Sequence, residues 1–476
     1  MFRRFSGVRL IAGSLLAELL MAASCAYSQD SSSGNGGQTG NGNQTGNQTG
    51  NGNQTGNGTY TPPTMPSPLD QSFTASLASG QAIPLNPAPN VQLGPEGQTT
   101  AGSPELRSQF LYGGTLSAVY MQDYGTASID HLVSGVVSPY VGLYLPTRTG
   151  GVTLQYLGEY APNDAFSDSF QAYHTVSFSA VGAFTRRWFW GISSTANYGS
   201  DSVQFEAPLP YLMVDLIPVV DPVEPAEFFI GRTVALADNS AEIGWRRTVH
   251  DRFTLTAFHA YSDISSSELA GGLPATQSNA VGANLDYSRE VNSRFKFNVY
   301  AQDEHVIESN CNMYGVGAGI SAQLSYSWHL DLNGGPEWTS ANCVRQTNYN
   351  VYGALVKGLR GHAQAFLVGW QYYNVAFLTP NTWETAVAAG FSQPVGRNFT
   401  VEGAAGYFRG NPLIETTTAL EGYFVAPQVR YKLTNSTSIT AGYRIFHATA
   451  GGTVPGNLNF AVISLEWHPK PFQFGR

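Results

Sequence analysis

Near the end of the chain, Gln428, Arg430, Lys432 and Arg444 share one parity, while Val425, Val429, Tyr431, Ile439, Tyr443 and Ile445 take the other. On an extended chain this pattern puts a charged stripe on one face and an apolar surface on the other. The chemistry of such a stripe is electrostatic: it either attracts anions or pairs with acids on neighbouring segments, for which Glu402 and Glu466 have the matching parity. A second charged group lies upstream, where Glu206, Asp215, Asp221, Glu224 and Glu227 are set among apolar residues between Asp201 and Asp238. Bond-breaking chemistry has far less support. No Gly-Xaa-Ser-Xaa-Gly elbow and no His-Glu-Xaa-Xaa-His pair occurs, and the 9 histidines are scattered singly. His174 and His259 read as polar wall residues, and Asp123, Asp130, Asp164 and Asp168 lack the dense spacing of a calcium loop. The expectation is therefore no enzyme, no cofactor and no metal. A triad assembled across strands would leave no motif and stays the minor alternative.

The elements that must position these residues are strands. From about Gln109 to His468 the chain repeats runs of roughly ten residues in which apolar side chains alternate with small or polar ones. Val152 to Tyr156, Val176 to Ala180, Trp188 to Ile192 and Ala461 to Trp467 show it most clearly. The connections alternate too. Short ones at Arg148–Gly151, Thr185–Arg187, His250–Arg252, Glu290–Arg294, Gly358–Gly361, Val395–Asn398 and Thr434–Thr437 are separated by longer polar loops such as Pro162–Asp168, Ser265–Gln277 and Asn411–Glu421. Sorting of loops by parity is the mark of a membrane-crossing barrel, with tight turns at one surface and long loops at the other. The expected fold is all-β: a transmembrane antiparallel up-and-down β-barrel of about 16–18 strands spanning residues 104–476, with both ends at the short-turn side. Pro427 should sit at a bulge or near the rim, because a closed barrel has no free edge.

Composition agrees. Charged residues make up 12% of the chain, about half the share usual for a soluble domain, yet the mean hydropathy is slightly polar. The formal net charge of −9 argues against nucleic acid as a partner. Arg3, Arg4 and Arg9 followed by the apolar stretch Leu10 to Ala23 read as a secretory signal peptide, residues 1–28. Cleavage before Cys25, leaving a lipidated terminus, is the alternative. Residues 29–103 are a low-complexity and Pro-containing linker with an Asn-Gln-Thr-Gly repeat, too poor in apolar residues to offset the entropy of ordering, and read as a periplasmic tether. Once Cys25 leaves with the signal, Cys311 and Cys343 remain, in an oxidising compartment and in loops of the same side. A disulfide between them is expected, contributing roughly 3–4 kcal/mol in the chain-entropy picture.

With alternating strands, turn parity, and Trp188, Trp245, Trp328, Trp370 and Trp467 near the expected strand ends, the chain resembles the porin-like outer-membrane β-barrel proteins of Gram-negative bacteria over roughly its last three quarters. It departs from them after Trp467, where Pro469 to Arg476 follow and Phe474 stands in for the terminal aromatic. The resemblance implies an integral outer-membrane channel through which small polar solutes diffuse. Its partners would be outer-membrane lipid, lipopolysaccharide, the barrel-assembly machinery and the solute. It also implies that the acidic loop Asp201–Asp238 folds inward opposite Arg430, Lys432 and Arg444, setting a transverse field across a constriction. Pairing of those cations with Glu402 and Glu466 is the simpler alternative. An export conduit for a polymer, or a surface interaction barrel, is the other functional reading, and the oligomeric state stays open.

Overall fold

A computed structural model of the chain describes residues 108–123, 132–147, 150–161, 171–185, 187–200, 213–214, 217–218, 233–248, 250–265, 276–307, 310–340, 343, 347–359, 363–374, 382–412, 420–450, 456–470 and 472–474. The signal peptide, the linker and the five acids between Glu206 and Glu227 lie outside the described residues. In chain order the strands are β1 (Ser108–Asp123), β2 (Leu132–Thr147), β3 (Gly150–Ala161), β4 (Gln171–Ala183), β5 (Trp188–Ser200), β6 (Met213–Val214), β7 (Ile217–Pro218), β8 (Thr233–Arg246), β9 (Asp251–Ile264) and β10 (Thr276–Asn292). They continue as β11 (Phe295–Val306), β12 (Cys311–Ser325), β13 (Trp328–Thr339), β14 (Thr347–Gly358), β15 (Gln364–Asn374), β16 (Thr382–Val395), β17 (Phe399–Pro412), β18 (Leu420–Lys432), β19 (Thr437–Ala450), β20 (Gly456–Trp467) and β21 (Phe472–Phe474).

Each long strand pairs antiparallel with its neighbours in sequence, and β1 closes the ring by pairing with both β2 and β20, giving a closed barrel of 18 strands. The small hairpin β6–β7 stands apart from it. Every hairpin turn at one end is short, including Tyr326-Ser327, which carries none of the Gly, Pro or Asn that mark most turns and left no sequence signal. At the seam, β20 opposes β1 only as far as Gly114, and β21 continues the pairing from Phe110 to Ser108. The tail after Pro471 thus covers backbone of β1 that would otherwise be a free edge.

The two faces of the wall differ as the alternation requires. On β20, Ile463, Leu465 and Trp467 point out and are exposed, whereas Val462, Ser464 and Glu466 point in and are buried. The same division runs around the ring, with Val133 (69%), Leu285 (54%) and Leu367 (49%) exposed outside. Side chains on the concave face converge and cover one another, while those on the convex face splay apart. An outer surface this apolar is stable only against an apolar surrounding. Aromatic rings bound the outer band. At the short-turn end Trp245, Phe253, Tyr287 and Phe297 follow one another at centroid spacings of 5.7, 4.6 and 6.0 Å, Trp188 is paired with Trp245, and Trp467 stands at the same end further round the ring, against Tyr112. At the other end Tyr198, Tyr314, Trp338, Tyr407 and Tyr423 are exposed on the same outer face. Trp188 and Tyr198 share β5, about 33 Å apart along the strand and about 25 Å along the axis at the usual tilt, the height of a hydrocarbon band.

Three sequence expectations need correction. Trp370 is no girdle residue: it sits on the inward parity of β15 and is buried, because alternation, not proximity to a strand end, decides the face. Pro427 lies in mid-strand with no register shift on either side; β18 simply lacks a bridge there, between the pairs Val425/Ile445 and Gln428/Gly442. Omitting one ladder bond in a ring of this size is the smaller disturbance than an extra residue. Finally, the long connection ends earlier than expected, since Thr233 to Asp238 already belong to β8.

Candidate functional site in the barrel interior

The inward side chains divide into sectors. On β17 to β20, the strands that carry the charged stripe, Glu402, Gln428, Arg430, Lys432, Arg444 and Glu466 all point inward. Glu466, with no measurable exposure, is held on several sides: Arg430 Nη1 lies 3.4 Å from Oε2, Ser438 Oγ donates to Oε2 at 2.9 Å and Thr440 Oγ1 donates to Oε1 at 2.6 Å. His468 Nε2 is 3.6 Å from the same carboxylate, and its Nδ1 is 2.9 Å from the Tyr140 hydroxyl on β2. Glu402 accepts hydrogen bonds from Ser392 Oγ at 3.1 Å and from Gln428 Nε2. The network therefore ties β16, β17 and β18 together, and β18 to β20 and β2, near the short-turn end. For Arg430 the pairing alternative describes the geometry: its charge is matched by Glu466. Lys432, at the strand's end, is exposed, and Arg444 is half-buried further up the wall.

About a third of the way round the ring, on β10 to β14, the inward residues are of another kind. Asp286, Asn298, Gln302, Glu304, Asp331, Asn333, Glu337, Asn348 and Asn350 are all buried there. Asn298 Nδ2 donates to Asp286 Oδ2 at 3.0 Å, Gln302 Nε2 to Glu337 Oε2 at 3.4 Å, and His329 Nε2 lies 2.8 Å from Asp331 Oδ2. Between the two sectors, at the short-turn mouth, Arg252 sits 3.6 Å from Glu242 and 4.3 Å from the Phe189 ring, which also faces Arg246 at 5.0 Å. The acid and amide sector escaped the sequence reading, although Asn298, Gln302 and Glu304 on alternate positions of one strand carried the signal.

Cys311 and Cys343 are disulfide-bonded, with Cα atoms 5.5 Å apart. Cys311 opens β12 at the long-loop end, and the bridge packs with Ala280, Val306 and Met313 in a buried cluster above the acid sector. On the outer face a hydrogen-bonded ladder also went unforeseen. Ser194 Oγ donates to Asn239 Oδ1 at 2.7 Å, Asn239 Nδ2 is 3.3 Å from His259 Nδ1, and His259 Nε2 is 2.9 Å from Asn279 Oδ1. His174 is also outward, 2.9 Å from the Tyr156 hydroxyl.

No protein-family model and no curated protein matches the chain. Among solved structures it is similar to OccK2 (OpdF) of Pseudomonas aeruginosa, at 12% identity and TM-score 0.44 over 75% of this chain and 98% of that one. A BenF-like porin of Pseudomonas fluorescens Pf-5 gives 12% and 0.44 over 76% and 99%. OpdK of Pseudomonas aeruginosa gives 11% and 0.42 over 76% and 99%. The architecture stated above rests on the strand pairing of this chain, and the roles of its residues on their own geometry.

Proposed function

We propose that the protein is an integral channel of a Gram-negative outer membrane through which small polar solutes diffuse passively. The observation that carries this reading is the division of the wall: an apolar outer band bounded by two aromatic girdles, around an inner face lined with carboxylates, amides and arginines. A ring of this strand number encloses space that side chains alone do not fill. Its outer surface would meet lipid and, outside, lipopolysaccharide, and the barrel would be delivered by the assembly machinery that inserts such proteins. The linker of residues 29–103 would lie in the periplasm.

The two sectors favour a sorting channel over a polymer conduit. Acids and amides on β10 to β14, about a third of the ring away from Lys432 on β18 and Arg444 on β19, give the lumen wall sides of unlike charge, whereas a conduit for a charged polymer needs steps of one sign along its length. Glu206, Asp215, Asp221, Glu224 and Glu227, if the loop that carries them enters the lumen, would add to the acidic side. The test is single-channel recording in a planar bilayer, with heat-modifiable migration on gels as the check of folding. Discrete conductance steps are expected. A folded, membrane-extracted barrel that never conducts would end the channel reading.

A further inference from the structure

Three short turns stand side by side along one stretch of the rim, between β4 and β5, between β8 and β9, and between β10 and β11. Backbone hydrogen bonds join each to the next: Arg246 N donates to Arg187 O at 2.7 Å and Glu290 N to His250 O at 2.9 Å. Each turn is also braced by a side chain. Thr185 Oγ1 accepts from the Arg187 N–H at 3.2 Å, Thr248 Oγ1 from the His250 and Asp251 N–H groups at 3.2 and 3.1 Å, and Asn292 Oδ1 from the Arg294 N–H at 2.8 Å.

The acids of this stretch are already matched. Glu242 lies 3.6 Å from Arg252, Glu290 3.6 Å from His250, and Asp251 3.6 Å from Arg289 while accepting from the Tyr287 hydroxyl at 3.0 Å. Arg187, Arg247 and Arg294 are left over: all three are exposed and take part in no ion pair among the described residues. On the outer face just inside these turns runs the belt of Trp188, Trp245, Phe253, Tyr287 and Phe297. Such a belt marks the depth at which hydrocarbon gives way to headgroups, so guanidiniums on turns immediately beyond it stand at the level of lipid phosphates. Rings alone suit any lipid. Unmatched arginines beside them favour one with net negative charge, because a guanidinium offers paired N–H donors to phosphate and a cation near the surface attracts anionic lipid.

We propose that the rim from β4 to β11 is a docking surface for the headgroups of anionic phospholipids in the leaflet on the short-turn side. It rests on the membrane placement of the barrel and not on conduction. The acyl chains lie along the apolar outer wall, the glycerol region at the rings, and the phosphates against Arg187, Arg247 and Arg294.

Native mass spectrometry of the full-length protein released from detergent would count the lipids retained on titration with phosphatidylglycerol and with phosphatidylcholine of the same acyl chains. Phosphatidylglycerol is expected to bind about tenfold or more tighter, and Arg187→Gln/Arg247→Gln/Arg294→Gln to lose that margin, since each cation near an anionic lipid accounts for roughly a fivefold factor. Arg397→Gln/Lys470→Gln, which removes two exposed cations of the same end outside this stretch, should bind as the parent does. Equal binding of the two lipids by the parent, or of phosphatidylglycerol by the parent and the triple variant, overturns the surface. So does an equal loss in the Arg397 and Lys470 variant, which would make binding a property of the whole rim. Two further ligands separate the sources of phosphate. Glycerol 3-phosphate that displaces the lipid at equal concentration would show a site for free anions, and lipopolysaccharide retained in preference would place these turns at the outer leaflet; either result overturns the proposal. Should the triple variant lose its heat-modifiable band, Arg247→Gln alone decides, with a loss of about fivefold expected.

Discussion

At the scale of single residues, the most constrained group is Glu466. It lies on β20 but answers to Arg430 two strands away, across Ser438 and Thr440 of the strand between. A charge with no exposure depends on that surrounding, and the two members of the pair are not equivalent. Replacing Arg430 with Met leaves the carboxylate buried without its counter-charge, which costs about 3–5 kcal/mol, whereas replacing both by apolar residues of similar volume costs little. Arg430→Met should therefore lower the temperature at which the barrel loses its fast-migrating band on gels, and Arg430→Met/Glu466→Leu should restore most of the loss. Equal destabilisation by the single and double changes would show that the ion pair is incidental to the fold.

At the scale of elements, the outer ladder from Ser194 to Asn279 poses the opposite problem. It crosses β5, β8, β9 and β10 on a face that is otherwise mostly apolar, where hydrogen bonds between strands satisfy polar groups that lipid cannot. His259 bridges Asn239 and Asn279, and its loss takes one hydrogen bond from each. His259→Leu is expected to cost about 1–2 kcal/mol despite adding an apolar side chain to an apolar band, and converting Asn239 and Asn279 to apolar residues in the same background should recover it. Urea-induced unfolding in lipid vesicles reads both. The ladder also shows where sequence reasoning stops. Alternation decided the parity of Val425 through Arg444 and of Glu402 and Glu466 correctly, since a period of two leaves only two faces. The strand count, too, fell within the range that turn parity allows. What alternation cannot supply is which polar residues break the rule on the outer face, or that Gln302, Tyr300 and Asn298 of β11 cover Gly315, Gly317 and Gly319 of β12. Those facts depend on neighbours brought together by pairing across 12 or more residues of sequence, where no local signal exists.

At the scale of the whole molecule, the question is which charges govern the ions that enter. Arg430 is a poor candidate, because Glu466 neutralises it within 3.4 Å; removing it would weaken the wall before it changed the field. Arg444 and Lys432 line the lumen about a third of the ring away from the acid sector and are not part of that buried pair. Charges on an open wall are screened within about 8 Å at physiological salt, whereas charges at a constriction act through little intervening water. Arg444→Gln/Lys432→Gln should then shift the reversal potential in a salt gradient toward cation preference, with single-channel conductance nearly unchanged, and the shift should shrink as the salt approaches 1 M, where screening reaches about 3 Å. Glu304→Gln/Glu337→Gln should shift it the other way. Were both pairs to leave the reversal potential where it stands in the parent, the two sectors would be too far apart to act on one passing ion, and the selectivity would belong to the long loop between β5 and β8.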